Sequence, residues 1–237
     1  MIDRRVTETA HGLARTERVA TDPALDGLGP LIVADHPVVA DRLAQLRDRG
    51  TNDLAFRRLT AELSVFVAYE ALSDLETEVG FVDTPVSAHA SVRRVSETPL
   101  LVPVLRAGLG MVPALTTMLS PVEVAHVGLR RDEETLQSIL YLDALPASLE
   151  GRRVVVCDPM LATGGTLVAV CDLVAARGAS SIVVLCLLAS VPGLRRLRAA
   201  HPTVRVACAG VDPELSDRGY IVPGLGDAGD RLFGRPG

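Results

Sequence analysis

The stretch Val154-Val155-Val156-Cys157-Asp158-Pro159-Met160-Leu161-Ala162-Thr163-Gly164-Gly165-Thr166 runs an apolar segment into an acidic residue and a Gly-rich turn. Four apolar residues in a row, three of them valine, predict a parallel strand covered on both faces. Asp158 ends that strand. From Leu167 to Ala176 the chain is mostly aliphatic, and Arg177-Gly178 supplies a cation and a φ-tolerant residue, so a helix with a stop is predicted there. The turn between strand and helix presents backbone N–H groups. Gly164 and Gly165 let main chain approach a ligand, and the Thr163 and Thr166 hydroxyls and the helix dipole favour a phosphate dianion. A Walker loop is excluded because it needs a lysine and the chain has none. The G-x-G-x-x-G dinucleotide fingerprint is absent too. A strand, an acidic residue for ribose hydroxyls and a phosphate cradle suit a phosphorylated sugar, although a Gly-Gly turn taken alone is equally a plain βα connection.

With 237 residues the chain is long enough for one α/β domain with a sizeable core. Aromatic residues are only 3%, so the core must be aliphatic and few rings are on offer for stacking nucleic-acid bases. A net charge of −5 argues against a general polyanion binder, and nucleic acid is not expected as a partner. Cys157, Cys171, Cys186 and Cys208 match no zinc-ligand spacing and read as buried thiols in a reducing cytosol. The N-terminus has no apolar h-region, and no run approaches about 18 apolar residues, so a cytoplasmic protein away from membranes is expected.

Residues 1–30 lack periodicity and read as a partly ordered leader before a single domain over 31–237. Between residues 37 and 78 apolar residues recur at helical spacing, and Gly50-Thr51-Asn52 divides two helices. Asp74, Glu76 and Glu78 read as a solvated helix end. Residues 79–95 suit short strands, with Pro85 limiting pairing to an edge. Pro99-Leu100-Leu101-Val102-Pro103-Val104-Leu105 is a second apolar strand, and it too runs into a Gly-containing turn, Arg106-Ala107-Gly108-Leu109-Gly110-Met111. Arg106 falls at the strand's C-terminal end, where open α/β sheets bind ligands. A third strand is predicted over 122–127, then a polar lid-like connection beginning Arg130-Arg131. Residues 181–189 form a further strand, 192–200 an Arg-rich helix begun by proline, and 203–209 an alternating strand near an edge. This alternation predicts a doubly wound, mostly parallel sheet with right-handed crossovers. Residues 219–234 hold five glycines, a proline and two aspartates, a loop whose exposed backbone groups can read a small planar heterocycle.

Three of these segments, residues 106–111, 158–166 and 219–234, together resemble uracil phosphoribosyltransferases, and the similarity runs from His36 to the C-terminus. The resemblance implies the type I phosphoribosyltransferase fold: a mostly parallel twisted sheet flanked by helices, with N-terminal helices and a C-terminal base-binding loop. It implies conversion of uracil and 5-phospho-α-D-ribose 1-diphosphate (PRPP) to UMP and diphosphate in pyrimidine salvage, with Mg²⁺ bound mainly through PRPP. Asp158, Pro159, Met160, Leu161, Ala162, Thr163, Gly164, Gly165 and Thr166 would bind the ribose 5-phosphate portion, with Arg106 and Arg131 on the diphosphate. Ile221, Gly226, Asp227 and Ala228 would bind uracil, with Asp227 also facing PRPP. Departures cluster in the lid: the usual tyrosine before Arg131 is Arg130, Gln137-Ser138 replaces the usual Glu-Pro, and a lysine position is Ala144. GTP stays open as an effector, and a homodimer or higher homo-oligomer is expected from the helices of residues 37–78.

The bond broken joins C1′ to diphosphate, so the protein's tasks are positioning and electrostatic stabilisation. The expected catalytic group is Asp158, Asp227 and Arg106, with no dedicated metal ligands. No histidine lies in the three motifs, and Asp227 is the candidate for taking the uracil N1 proton. Two other readings stand beside this one, a purine phosphoribosyltransferase and an RNA-binding regulator on the same fold. The scarcity of aromatic residues opposes the first and the acidic charge the second.

Overall fold

The computed structural model describes residues 27–131 and 138–234, without the side chains of Arg131 and Ser138. The chain opens with β1 (Leu31–Val33), α1 (Pro37–Arg47) and α2 (Asp53–Ala71), followed by a hairpin of β2 (Thr77–Thr84) and β3 (Ser87–Val95). Next come β4 (Leu100–Leu105), a 3-10 turn at Ala107–Gly110, α3 (Val112–Met118), β5 (Val127–Arg131) and β6 (Ser138–Asp143). The opening motif is β7 (Arg153–Cys157), β8 (Met160–Leu161) and α4 (Gly165–Ala176). After it lie β9 (Ser181–Leu185), β10 (Leu188–Ser190), α5 (Val191–Ala200), β11 (Arg205–Cys208), β12 (Gly210–Asp212), β13 (Glu214–Leu215), β14 (Ile221–Val222) and α6 (Ala228–Phe233).

Seven strands make the central sheet in the order β1-β11-β9-β7-β4-β5-β6. All neighbours are parallel except β5 and β6. The apolar runs are explained by burial on both faces. In β7, Val154 and Val156 point into one core with Leu167, Val170 and Val174 of α4 and Leu194 and Leu197 of α5. Val155 and Cys157 point into the other, with Leu46 of α1, Phe56, Leu59 and Leu63 of α2, Leu115 of α3 and Leu232 of α6. A strand sandwiched in this way has no polar side to alternate with.

Local sequence sets the helix starts. The His36 Nδ1 accepts from the Val38 N–H at 3.1 Å, with Pro37 pre-set for the first turn of α1. Asn52 caps α2 by accepting from the Ala55 N–H at 2.9 Å, so the predicted break at Gly50-Thr51-Asn52 holds.

Several expectations are corrected. Residues 122–127 do not form a strand: Val124 makes an isolated bridge to Leu101 and β5 begins at Val127. The run 181–189 is two strands, because after Leu185 the chain passes from the central sheet into a three-stranded one, β12-β10-β8. Periodicity does not register a change of partner. Pro85 sits in the turn between β2 and β3, not on a strand, and no residue of these two strands is buried. Asp74 is an ion-pair junction and not a simple helix end, with Arg153 at 2.9 Å and Arg205 at 3.0 Å. The expectation of a strand near an edge at 203–209 holds: Arg205–Cys208 lies one in from the edge, which β1 occupies. The backbone at Arg131 pairs with Ser138, so an antiparallel β5–β6 pair carries the predicted lid, and its tip lies outside the described residues.

All four cysteines are free and buried. Burial and the Asp158 charge push the Cys157 thiol well up, burial and Asp172 push Cys171 up to about 12, and Cys186 is raised by its contact with Cys208 and by burial. The thiolate is the reactive form. In native protein at pH 8, none of the four thiols is therefore expected to react with Ellman's reagent over the time in which all four react in guanidinium. A thiol modified at the unfolded rate overturns this reading.

Candidate active site

Strand order places the site. From β4 the chain proceeds to β5 on one side, and from β7 it proceeds to β9 and β11 on the other, so the switch point lies between β4 and β7. The crevice at the C-terminal ends of such a pair is where open α/β sheets take ligands. Arg106 follows β4 and Asp158 follows β7, and Pro103 pairs with Cys157 across the gap.

The turn after β4 is seated closely. A Cβ on Gly108 would fall inside the van der Waals envelope of the Cys157 carbonyl oxygen and 3.2 Å from the Pro103 backbone. Only glycine lets the Arg106 turn lie against the end of β7. Gly108→Ala is expected to cost about 1–3 kcal/mol of stability by overpacking and to raise the KM for PRPP, read by a denaturant midpoint beside a rate assay. An unchanged midpoint and KM would show that the turn yields at no cost.

The C-terminal segment completes the crevice. A Cβ on Gly110 would meet Leu232 of α6 at 2.7 Å, and one on Gly229 would lie 4.0 Å from Ala107. So α6 packs across the Arg106 turn, and Arg106 Nη2 lies 3.9 Å from Asp230 Oδ1. Asp227 caps α6, with Oδ1 accepting from the Asp230 N–H at 2.9 Å. The sequence predicts a loop with exposed backbone groups here. Its exposed loop residues Gly226 and Asp227 in fact alternate with buried anchors: Ile221, Leu225, Ala228 and Leu232 all pack into the core.

Asp158 stands between these pieces. Its N–H donates to the Leu185 carbonyl at 3.1 Å, and Oδ1 accepts from the Met160 N–H at 3.3 Å. Burial, reinforced by the negative Asp227 and opposed by the Met160 N–H, pushes its carboxyl up to about 7. Beyond Asp158, the chain crosses β8 and reaches Gly164 at φ 79°. Gly164, the N-cap of α4, supplies no side-chain cap, which suits the first-turn N–H groups to an anion.

The Arg106 turn therefore lies against the end of β7, where Asp158 and then the 162–166 turn follow, and α6 with its Asp227 cap packs across the Arg106 turn. Arg131 is different: its backbone ends β5, and its side chain is outside the described residues. Among the described residues no group of three or more His, Cys, Asp or Glu is placed to hold a metal. A cavity of about 710 Å³ lies elsewhere, between β1 and α2, lined by Ile32, His36, Val39, Phe66 and Tyr69, and it contains none of these site residues.

Sequence reasoning missed the supports of the base-binding segment. Asp212, only 4% exposed, accepts from Arg47 Nη1 and Nη2, both at 2.7 Å, and from the Gly224 N–H at 2.8 Å. Arg47 Nη1 also donates to the Gly224 carbonyl at 2.9 Å. Arg231 donates to the carbonyls of Leu46, Leu225 and Asp48, and its guanidinium lies 4.2 Å over the Phe56 ring. These contacts tie the segment to α1 and α2. No local pattern announces a partner 165 residues away.

A family model described as uracil phosphoribosyltransferase matches residues 33–235. A uracil phosphoribosyltransferase of Beutenbergia cavernae is 51% identical over 205 residues, covering 85% of this chain and 97% of that protein. One from Streptococcus pneumoniae is 42% identical, over 87% of this chain and 99% of its own length. The solved structure of the AQ2163 protein from Aquifex aeolicus superposes with a TM-score of 0.81 at 34% identity, covering 86% of this chain and 98% of that one. With a family model matching residues 33–235 and relatives of 42–51% identity covered over almost their whole length, the chain belongs to the uracil phosphoribosyltransferase family.

Proposed function

We infer that the chain transfers the 5-phosphoribosyl group of PRPP to N1 of uracil, releasing diphosphate and forming UMP for pyrimidine salvage. The observation that carries this is the convergence of Arg106, Asp158 and the Asp227 turn on the switch-point crevice between β4 and β7. Residues 162–166 take the 5-phosphate on backbone N–H groups, and Pro159, Met160 and Leu161 carry the chain to them from Asp158. Asp158 accepts from the ribose hydroxyls. Arg106 and Arg131 take the diphosphate, where Arg106 offsets charge that builds on the leaving group. Ile221 anchors the base segment from beneath, and backbone groups of Gly226, Asp227 and Ala228 read the uracil edge.

Asp227 receives the N1 proton in this reading. One of its oxygens is committed to capping α6, which fixes the carboxylate beside the base. Asp227→Asn is the direct check: unchanged turnover at saturating substrates removes Asp227 from that role. Mg²⁺ suits the donor set, since a crevice with Asp158 and Asp227 and, among the described residues, no cluster of three or more metal-ligating side chains matches an ion that keeps its waters and binds substrate oxygens. When bound it would neutralise diphosphate charge, with Asp158 and Asp227 as carboxylates that could hold its waters.

Among the described residues no helix is long and apolar enough to cross a membrane. A homodimer is supported by exposed apolar side chains on α1 and α2, Val38, Phe66 and Tyr69, and a monomer mass in light scattering would exclude it. The function is tested by UMP formation from uracil, PRPP and Mg²⁺, with xanthine and guanine as competing bases and with and without GTP. UMP from wild type and none from Asp158→Ala is the expected result. Release of diphosphate only with a purine overturns the assignment.

A further inference from the structure

The 5-phosphate cradle offers backbone N–H groups and the Thr163 and Thr166 hydroxyls but no formal charge, yet a phosphate monoester carries close to two negative charges at neutral pH, against roughly half a positive charge at a helix N-terminus. The chain has no lysine to make up the difference. One arginine lies beside the cradle. A Cβ built on Gly165, the first residue of α4, would be 3.2 Å from Arg196 Nη1 and 3.4 Å from its Cζ and Nη2. A Cβ on Gly164 would be 3.3 Å from the Cβ of Arg196. The Arg196 side chain therefore runs along the glycine pair and ends at the first turn of α4.

This placement is imposed by buried contacts one turn earlier on α5. Ser190, fully buried, donates its hydroxyl to the Ala162 carbonyl at 2.6 Å and accepts from the Gly193 N–H at 2.9 Å. Gly193 packs so closely that a Cβ there would overlap the Ala162 carbonyl oxygen and reach within 3.0 Å of that of Leu161. The helix is thus keyed to the cradle by Ser190 and Gly193, and Arg196, three residues on, is carried to the cradle's edge. Arg196 is exposed, and among the described residues no carboxylate lies within ion-pair distance of it. The other arginines of this helix differ. Arg198 turns back under Gly29, and no contact with the cradle glycines is seen for Arg195.

We propose that Arg196 is a phosphate-binding residue of this protein, its guanidinium completing the Gly164–Gly165 cradle around the 5-phosphate of PRPP. This rests on the phosphoribosyl-transfer reading above. The absence of a side chain at Gly165 has a role here, since it leaves the guanidinium room to reach the anion.

PRPP carries two phosphate groups, so the test must separate them. Ribose 5-phosphate and inorganic diphosphate are used as competitive inhibitors against PRPP, with wild type, Arg196→Gln and Arg196→Lys. Arg196→Gln is expected to raise the KM for PRPP and the Ki for ribose 5-phosphate by about tenfold, the scale of one charge-assisted contact. The KM for uracil and the Ki for diphosphate stay at wild-type values, and Arg196→Lys recovers part of the loss. Equal weakening of both inhibitors, or no change in either, overturns the proposal. If wild type forms no UMP, it is the parent reading that fails. Calorimetric titration of ribose 5-phosphate into wild type and Arg196→Gln then still decides Arg196: a wild-type heat that the variant retains undiminished, or no binding by either protein, counts against it.

Discussion

Asp158→Asn is expected to give a protein that melts higher than wild type and forms UMP roughly 100-fold more slowly, the scale of losing hydrogen bonds to an ionised acceptor in the transition state. The two effects share one cause. Burial first, and the Asp227 charge after it, push the Asp158 carboxyl up to about 7, so the fold holds this group at the expense of its ionised form. The sign follows from proton linkage. In the unfolded chain the carboxyl ionises near its ordinary value of 3.8, whereas in the folded chain it does so near 7. Between those values the folded state binds more protons, so wild type loses stability as pH rises through that window and no further above it. The neutral amide has no such dependence. The melting-temperature gap between variant and wild type should widen from pH 4 to pH 7 and then level, reaching on the order of 2 kcal/mol, or roughly 4–8 °C. Activity moves the other way. Ribose hydroxyls donate best to the ionised carboxylate, so the KM for PRPP in wild type should fall as pH rises through 7 and stay flat in the variant. Scanning calorimetry and initial rates at several pH values measure both, and a gap that shrinks with rising pH would sink the account.

Asp212→Ala is expected to be the most destabilising single change outside the aliphatic core. The carboxylate accepts three hydrogen bonds, two from Arg47 and one from the Gly224 N–H. Its removal strands a guanidinium that is 24% exposed and a main-chain donor that is buried. Breaking a buried pair from one side costs about 3–5 kcal/mol, which for a domain of this size is on the order of 10 °C. Two further variants separate stability from function. Arg47→Met with Asp212→Leu replaces the pair by apolar groups, which is often close to neutral for stability. It does not restore the clamp on Gly224, so the KM for uracil should stay high after the melting temperature has recovered, with the KM for PRPP little changed. Arg47→Lys keeps the charge but loses the two-pronged fork and should show the same split. A loss under about 1 kcal/mol for Asp212→Ala, well below the cost of a broken buried pair, would mean that the segment is held elsewhere, with Arg231 the next candidate.

Much of the site was legible because its signals are local. An apolar run ending in Asp158 and a glycine pair opening a helix imply a βα turn with exposed N–H groups, and β7, β8 and α4 take that form. The repeat of the pattern at Arg106 was legible for the same reason. The readings that failed depended on which strands meet. The run 181–189 is apolar from end to end, yet it serves two sheets, because β9 pairs with β7 and β11 while β10 pairs with β8 and β12. The glycine-rich segment 219–234 was read as loop alone, since its buried anchors are spaced by turns and not by any strand or helix period.

From the sequence alone came the alternating α/β architecture, the family resemblance and the three segments that make the crevice. These follow from turn chemistry, side-chain period and residue type, all of which act over a few neighbouring positions. Only the tertiary structure decided that β4 and β7 are adjacent, that Asp158 feels Asp227, that Asp212 holds Arg47 and Gly224, and that α5 carries Arg196 to the cradle. Burial, pKa and hydrogen-bond partners are properties of groups that come together across the chain, and strand order, which no local pattern encodes, determines which groups those are.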